Sequence, residues 1–181
     1  MSNSITGFNY PETVNFHIKP IGVSGDPFKE GIPYNKPSEI MRFAKRQPKN
    51  VKIGDILIVY GVGTQKLIAI HRVTTLPIAF TQAELNSNPG LERWPWYIMG
   101  DNLTPNFGGE WWLHNFRLFD LADKYITMYP NRVLTSAGNK GLGALQIGWD
   151  RLKITREFAE FLINPILVIE RGKVGISVSS D

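Results

Sequence analysis

Apolar and polar residues alternate in the segment TVNFHIKPI, close to the start of the chain. The apolar set is Val14, Phe16 and Ile18, and the polar set between them is Asn15, His17 and Lys19. A period of two predicts a β-strand with one face in the core and one face in water. We therefore expect a half-buried strand whose polar side chains face solvent.

Two apolar runs, GDILIVY and KLIAIHRV, are separated by GVGTQ, whose two glycines permit the positive φ that a chain reversal needs. This arrangement predicts a β-hairpin. The apolar character of both runs is nearly continuous, which is typical of strands that are covered on both faces. We expect this hairpin at the centre of a sheet rather than at its margin.

A glycine- and proline-rich segment, residues 22–37, precedes the hairpin and predicts a shaped loop. A helix is predicted from Ser38 to Pro48, with Pro37 tolerated in its first turn. Either Asn35 or Ser38 supplies its N-cap. Its apolar face would consist of Ile40, Met41, Phe43 and Ala44.

The remaining segments predict further short elements. In chain order these are a helical turn at 81–85, strands at 96–100 and 111–121, a short apolar piece at 125–129, a glycine-rich flexible connection at 136–148, an amphipathic helix at 150–164 and a hairpin over 166–178. The amphipathic helix would end before Pro165. The final hairpin would turn at Arg171 to Lys173 and would pack, with that helix, on the rest of the chain.

The order of these elements predicts the α+β class. Strands are joined mostly by hairpins or loops, which favours a curled, mainly antiparallel sheet or small barrel with two or three flanking helices. A chain of 181 residues is long enough for one compact core. We therefore expect a single domain over residues 1–181.

The composition excludes several kinds of chemistry. Cysteine is absent, which removes disulfides, thiolate zinc sites and cysteine nucleophiles. His17, His71 and His114 lie far apart and show no metal-binding spacing, so we expect neither a metal nor a cofactor. No run approaches the roughly 18 apolar residues of a membrane span, and the first ten residues do not read as a secretory signal. We expect a cytoplasmic protein that does not bind membranes.

The segment RWPWYIMGDN, residues 93–102, concentrates aromatic side chains. Trp94 and Trp96 are two positions apart, so both rings project from one face if the segment is extended. Pro95 between them favours a strand start or an open edge. The two rings either complete a core or form a stacking site for a base. Phe28, Tyr34 and Tyr60 are the candidates from neighbouring loops for the same stacking site.

Asp101 and Asn102 follow at the end of this strand. They either read the hydrogen-bonding edge of a bound base, since both offer acceptors and Asn also donates, or they form a turn with Gly100. Trp111 and Trp112 lie in the strand predicted at 111–121 and would point to its opposite faces, with one of them in the core.

The net charge of +4 fits a polyanionic partner without requiring one. Five basic residues and no acidic residue occur between positions 42 and 52. Such a run is either a solvated helix face and loop or a surface that binds phosphates. The candidates for phosphate contacts are Arg42, Lys45, Arg46 and Lys49.

No motif of an enzyme is recognised: P-loop, G-x-S-x-G and H-E-x-x-H patterns are absent from the sequence. The segments IGDILIVY, IAIHRV and YIMGDN follow one another as in signal-peptidase-like serine-lysine proteases. Those enzymes place their serine just ahead of the first motif, whereas Ser38 lies sixteen residues before Gly54. A hydrolase that uses Asp101 or His71 is therefore the alternative to a binding function. A domain that docks a protein through its basic helix and the 136–148 loop is another alternative.

The order of FHIKPI, a shaped loop, IMRFAKRQPKNVKIGD, the ILIVYG and KLIAIHRVTTLP strands and RWPWYIMGDNL resembles the EVE branch of the PUA-like superfamily, which also contains YTH and ASCH domains. The resemblance covers about residues 13–120 and rests on order and spacing. His71 and Arg72 depart from the family pattern, which has a small and an acidic residue there. Residues 130–181 have no counterpart.

This resemblance implies a small curved barrel with a pocket between the first-strand loop and the aromatic strand. EVE and YTH domains bind nucleic acids that carry a modified base, and some serve modification-dependent restriction systems. Carried over by position, the implied pocket wall consists of Phe28 or Tyr34, Tyr60, and Trp94 or Trp96, with Arg42, Lys45 and Arg46 on phosphates. We therefore predict a non-catalytic module that binds a base in DNA or RNA; the resemblance implies a modified base and makes a nuclease a candidate partner protein.

Overall fold

The computed structural model of this chain describes residues 10–23, 25–43, 46–145 and 150–177, with side chains up to residue 173. The chain is α+β. Its strands are β1 (Phe16–Val23), β2 (Asp26–Pro27), β3 (Ser38–Phe43), β4 (Ile56–Gly61), β5 (Leu67–Val73), β6 (Ile78–Ala79), β7 (Trp96–Asn102) and β8 (Leu152–Ile154). Its helices are α1 (Gln82–Ser87), α2 (Pro105–Gly108), α3 (Leu118–Met128) and α4 (Arg156–Ser177).

The strands form one mixed sheet in the order β2-β1-β4-β5-β7-β3, with β8 added on β1 and β6 on β7. Strands β1 and β4 are parallel, and the other pairings between described strands are antiparallel. The prediction of a mainly antiparallel sheet is therefore confirmed. One connected cluster of buried apolar side chains, from Tyr10 to Leu167, lies around this sheet.

The predicted hairpin is confirmed as β4 and β5, and it lies in the middle of the sheet. All six residues of β4 are buried, and so are all residues of β5 except Arg72. Gly63 has a φ of 97° in the connecting turn, and Gln65 supplies a second positive φ of 60°. The continuous apolar pattern thus identified strands that are covered on both faces. The helical turn predicted at 81–85 and the strand predicted at 96–100 are likewise confirmed, as α1 and β7.

The first strand is more deeply buried than its alternating pattern predicts. His17 and Lys19 are 1% and 3% exposed, so the prediction that the polar face meets solvent is wrong. The burial of His17 is explained by a hydrogen-bond partner, because its Nε2 lies 3.2 Å from Oδ2 of Asp55. Burial favours the neutral form of Asp55, but hydrogen bonds from His17 and from the N–H groups of Lys52 and Asn15 hold the pKa of this carboxyl below its usual value.

The helix predicted from Ser38 to Pro48 is wrong, because residues 38–43 form strand β3. Met41 and Phe43 are buried, whereas Ile40 and Arg42 are exposed, so the true period is two. Strand β3 pairs with β7, about sixty residues away, along its full length. This distant pairing satisfies the backbone hydrogen bonds of residues whose local pattern also suits a helix.

The strand predicted at 111–121 is also wrong. A 3₁₀ turn at Trp111–Leu113 and helix α3, which begins at Leu118, occupy this segment, and the apolar piece at 125–129 belongs mostly to α3. Trp111 is buried and Trp112 half-buried. The glycine-rich connection at 136–148 contains a 3₁₀ turn at Leu142–Leu145, and its last residues lie outside the described part of the chain.

The prediction of a C-terminal hairpin is wrong as well, because α4 continues through Pro165 to Ser177. Proline inside a helix costs about 3 kcal/mol. The buried residues Phe158, Ala159, Leu162, Ile163, Ile166 and Leu167 recur every three to four positions on both sides of it. Their packing offsets the cost, since burying one such side chain contributes about 1.5 to 3 kcal/mol. None of the described helices is both long and apolar enough to span a bilayer.

The sheet is not closed into a barrel. Strand β3 pairs with β7 alone, and β1 pairs with β8 at residues 16–18 and with β2 at residues 22 and 23. Within the described ranges, no ladder joins β1 to β3. Both strands nevertheless line one cavity, so the sheet curls until its two ends face each other. We call this unbonded gap between β1 and β3 the seam.

Candidate functional site

The cavity at the seam has a volume of about 460 Å³, which is within the usual range of small-molecule sites. It is lined by residues 19–23 of β1, by Asp26, Phe28 and Tyr34 from the following hairpin and loop, by residues 39–42 of β3, and by Trp94. The shaped loop predicted at 22–37 thus supplies a wall of this cavity.

Three of the aromatic residues predicted for a base-binding pocket line this cavity: Phe28, Tyr34 and Trp94. All three are half-buried, so each ring keeps some exposed surface. Phe28 and Tyr34 meet edge to face, with ring centroids 5.9 Å apart, and Phe28 also contacts the buried Trp111 at 5.6 Å. The Phe28 ring is therefore held in place by two neighbouring rings.

The backbone of Tyr34 is fixed by hydrogen bonds from two sides. Its N–H donates to the carbonyl of Gly108 at 2.8 Å, and its own carbonyl accepts from Nδ2 of Asn102 at 3.0 Å. A Cβ at Gly108 would collide with the Tyr34 carbonyl, so this approach requires glycine. The ring of His71 packs beside the Tyr34 ring at 5.4 Å. Burial, together with Glu39, raises the pKa of the Tyr34 hydroxyl, which keeps it protonated.

Phe28 depends on a glycine in the tight β1–β2 hairpin. Gly22 has a φ of 78°, and a Cβ placed on it would lie 2.7 Å from the backbone nitrogen of Phe28. A side chain at position 22 would therefore be strained by its own backbone and would also displace Phe28.

Lys19 is a buried charge at the cavity wall. Its ammonium donates to the carbonyl of Pro20 at 3.1 Å and lies 4.8 Å from the centre of the Phe43 ring. Burial lowers the pKa of Lys19 to about 8, an effect that Asp150 opposes and Arg151 strengthens. An ammonium has three N–H donors, and the described residues accept one of them.

The charged groups of the cavity balance. Lys19 and Arg42 are basic, and Asp26 and Glu39 are acidic, so two positive and two negative side chains give a net charge of zero. A free anion would meet no net attraction here. The lining instead offers separate donors and acceptors to a neutral ligand.

The other predicted pocket residues lie elsewhere. Trp96 packs against the core, opposite Phe43 of β3, and Tyr60 is buried within β4. Asn102 is a structural residue: besides holding Tyr34, its Oδ1 accepts from the N–H of Thr104 at 2.9 Å. Asp101 is exposed at the end of β7 and does not line the cavity.

The two tryptophans of RWPWY do not share a face as a continuous strand would place them. Strand β7 begins at Trp96, whereas Trp94 ends the 3₁₀ turn Pro89–Arg93. This break separates their roles, with Trp94 at the cavity and Trp96 on the core.

Among the predicted phosphate contacts, Arg42 lies at the cavity and is exposed. Arg46 and Lys49 are exposed on the connection between β3 and β4 and do not line the cavity. Lys45 lies outside the described residues. Arg42 is thus on strand β3, whereas Arg46 and Lys49 are on the connection that follows it, so these three residues do not share a helix face.

The sequence pattern did not identify Lys19, Asp26 and Glu39 as site residues. Lys19 was expected in water, because a buried lysine is rare unless it is paired. Glu39 was assigned to a helix, where its neighbours would differ. Strand β8 pairs with β1, and Phe43 of β3 lies beneath the Lys19 ammonium. The sequence alone does not show these two neighbours, so it does not predict that Lys19 is buried.

His71 and Asp101, the residues of the hydrolase alternative, lie on opposite faces of the sheet. Asp101 is opposite Arg72 in the β5–β7 ladder, and neighbouring residues of a strand point to opposite sides. His71 is fully buried, and burial lowers the pKa of its ring to about 4 despite an opposing contribution from Gly100. The two groups therefore form no catalytic pair. Within the described residues, no group of three or more His, Asp or Glu side chains could hold a metal ion.

Comparison with known proteins gives no assignment: no protein family model matches this chain, and no curated protein is detectably similar to it.

Proposed function

We propose that this protein is a non-catalytic module that binds a nucleic acid and holds one of its bases, natural or modified, in the seam cavity. The observation that carries the proposal is the shared position of Phe28, Tyr34 and Trp94 around a space of about 460 Å³. Aromatic side chains with free faces are the usual way in which proteins hold an unstacked base.

The energies are compatible with this function. Extruding a base costs a few kcal/mol, least for a single strand, and each aromatic stacking contact returns about 1 to 3 kcal/mol. Two contacts from three available rings therefore offset the cost. Arg42, Arg46 and Lys49 are exposed near one end of β3, and we assign them to phosphates of the same strand.

The proposal includes the finer fold expectation of a PUA-like curved barrel. The approach of β1 and β3 across the seam supports it, since a sheet in which these two strands, four places apart in the strand order, face one cavity is strongly curled. A nuclease as the partner protein and a cytoplasmic location stay predictions from the resemblance and the composition.

The direct test compares two fluorescein-labelled single-stranded oligonucleotides, one intact and one with an abasic site at its centre and the same flanking bases. Fluorescence anisotropy should show affinity for both, with the intact strand bound at least about tenfold more tightly because stacking is lost at the abasic site. Affinity for both should fall steeply between about 50 and 200 mM salt. Equal binding of the two strands would place the base outside the cavity, and no binding of either would contradict the function.

A further inference from the structure

Strand β3 arranges the polar groups of the cavity in a line. Glu39, Met41 and Phe43 alternate with the exposed Ile40 and Arg42, so these three side chains share the inner face of the strand. Glu39 and Phe43 are four residues apart, or about 13 Å along the strand. Met41 therefore lies between two ends of one surface.

The two ends carry opposite charges. The Lys19 ammonium lies over Phe43 at one end. Glu39 occupies the other end, and the Tyr34 hydroxyl lies between them, 3.8 Å from the sulfur of Met41. Lysine only donates hydrogen bonds, whereas a carboxylate only accepts them. A ligand that spans the surface must present acceptors to Lys19 and N–H groups to Glu39.

We propose that the cavity selects guanine among the natural bases, an inference that rests on the proposed base-binding function. Guanine offers the acceptors O6 and N7 on one edge, which is the pattern that lysine binds most often. Its N1–H and N2 amino groups donate from the neighbouring Watson–Crick edge, where Glu39 accepts them. N7 and N2 lie on opposite sides of the two-ring system, so guanine reaches further between two partners than a single-ring base, with its faces against the aromatic residues.

The other bases satisfy one end only. Adenine has a single amino group beside its N7 and no second acceptor on that edge. Thymine and uracil can donate through N3–H but lack an amino group, and their single ring is too short to reach Lys19 and Glu39 together. Cytosine has both kinds of group, but its single ring is too short to reach Lys19 and Glu39 together. Because the cavity carries no net charge, a neutral base with two different edges suits it better than a free phosphate or carboxylate.

The experiment uses the full chain and single-stranded oligonucleotides that differ only in the central base. The central bases are guanine, inosine, 7-deazaguanine, adenine, cytosine and thymine. Inosine lacks the N2 amino group that Glu39 accepts, and 7-deazaguanine lacks the N7 that Lys19 contacts. We expect guanine to bind best and each altered purine to bind about tenfold more weakly, since one such contact is worth about this much.

Two variants assign the contacts to residues. Lys19→Met should remove the preference for guanine over 7-deazaguanine and keep the preference over inosine. Glu39→Gln should weaken the preference over inosine and keep the one over 7-deazaguanine. Lys153→Met and Glu157→Gln make the same changes at exposed positions outside the cavity, so both should retain all preferences of the original chain.

The possible failures are distinguishable. Tight binding with no preference for guanine, or a preference that neither variant changes, would overturn the guanine inference and leave base binding intact. A complete lack of binding by all six oligonucleotides would overturn both proposals.

Discussion

The ammonium of Lys19 lies 4.8 Å from the centre of the Phe43 ring, with only 3% of the lysine exposed. Arg151 lies on the same ring at 5.8 Å and forms an ion pair with Asp150. A lysine buried in this way lowers stability, because its charge loses solvation. Residues of this kind are typical of binding sites that are optimised for a ligand rather than for folding.

Lys19→Met should therefore raise the free energy of unfolding at pH 7 while it weakens oligonucleotide binding. The pKa of Lys19 is about 8 in the folded chain and 10.5 when unfolded. The unfolded state binds more protons between these values, so Lys19 lowers stability at pH 7 and this loss is relieved as pH rises. Urea denaturation at pH 7 and 9 measures both effects. A Lys19→Met variant that unfolds more easily than the original chain would instead make Lys19 a structural residue.

Trp94→Ala should weaken oligonucleotide binding by about tenfold or more with little effect on the melting temperature, since Trp94 lines the cavity outside the core cluster. Trp96→Ala is the matched control. It should lower the unfolding free energy by about 3 kcal/mol or more, because Trp96 packs on the core. Folded Trp96→Ala protein should bind normally. Weaker binding by folded Trp96→Ala protein, together with unfolding of Trp94→Ala, would disprove the site.

Gly22→Ala should weaken binding by displacing Phe28. The positive φ and the 2.7 Å approach to the Phe28 nitrogen both oppose a side chain at position 22. Gly25→Ala serves as the control, because a Cβ there meets no atom within 4 Å and the backbone φ is not in the left-handed region. Anisotropy titrations should show a loss for the first variant alone. Equal affinities would remove Phe28 from the stacking surface.

Stability should decrease as pH falls from 6.5 towards 4, because of His71. Its pKa is about 4 when folded and 6.5 when unfolded, so the unfolded state takes up more protons in this window. The full effect is about 3 kcal/mol. His71→Leu should flatten the dependence of unfolding free energy on pH over this range. If His71→Leu leaves the slope of unfolding free energy against pH unchanged, the pKa of His71 does not differ between the folded and unfolded states.

Glu170→Gln should lower the unfolding free energy by about 1 to 3 kcal/mol. The Glu170 carboxylate accepts from the backbone N–H groups of Asn106 and Phe107 at 3.2 and 2.6 Å, and from the Asn106 side chain at 3.0 Å. It therefore holds the start of α2 against α4. Glu157→Gln, on the exposed first turn of α4, should change stability much less. Similar chemical-denaturation midpoints for the two variants would contradict this role.

The sequence predicted those parts of the fold that depend on local patterns. The β4–β5 hairpin has apolar runs and a glycine-containing reversal, both of which lie within eighteen residues. Strand β3 was predicted as a helix because SEIMRF fits both periods, and its pairing with β7 cannot be read locally. The helix α4 continues past Pro165 because packing on both sides compensates for the proline.

The aromatic part of the candidate site was predictable, and its polar part was not. Phe28, Tyr34 and Trp94 were recognised by residue type and by their loop positions. Lys19 and Glu39 line the same cavity because strands β1 and β3 approach each other, and the local sequence pattern does not show this approach. Trp96 was assigned to the pocket because sequence spacing does not show that a 3₁₀ turn interrupts the extended segment. Asn102 was assigned to it because its hydrogen bonds to Tyr34 and Thr104 cannot be read from the sequence.

Among the described residues, no ladder of backbone hydrogen bonds joins residues 19–21 of β1 to the outer edge of β3, where the sheet curls back on itself. A full set of backbone bonds there would complete the cylinder and add rigidity. It would also close the cavity at the seam. The fold thus lacks a set of stabilising hydrogen bonds at the seam. On the proposed function, a bound base would supply contacts between the two strands in their place.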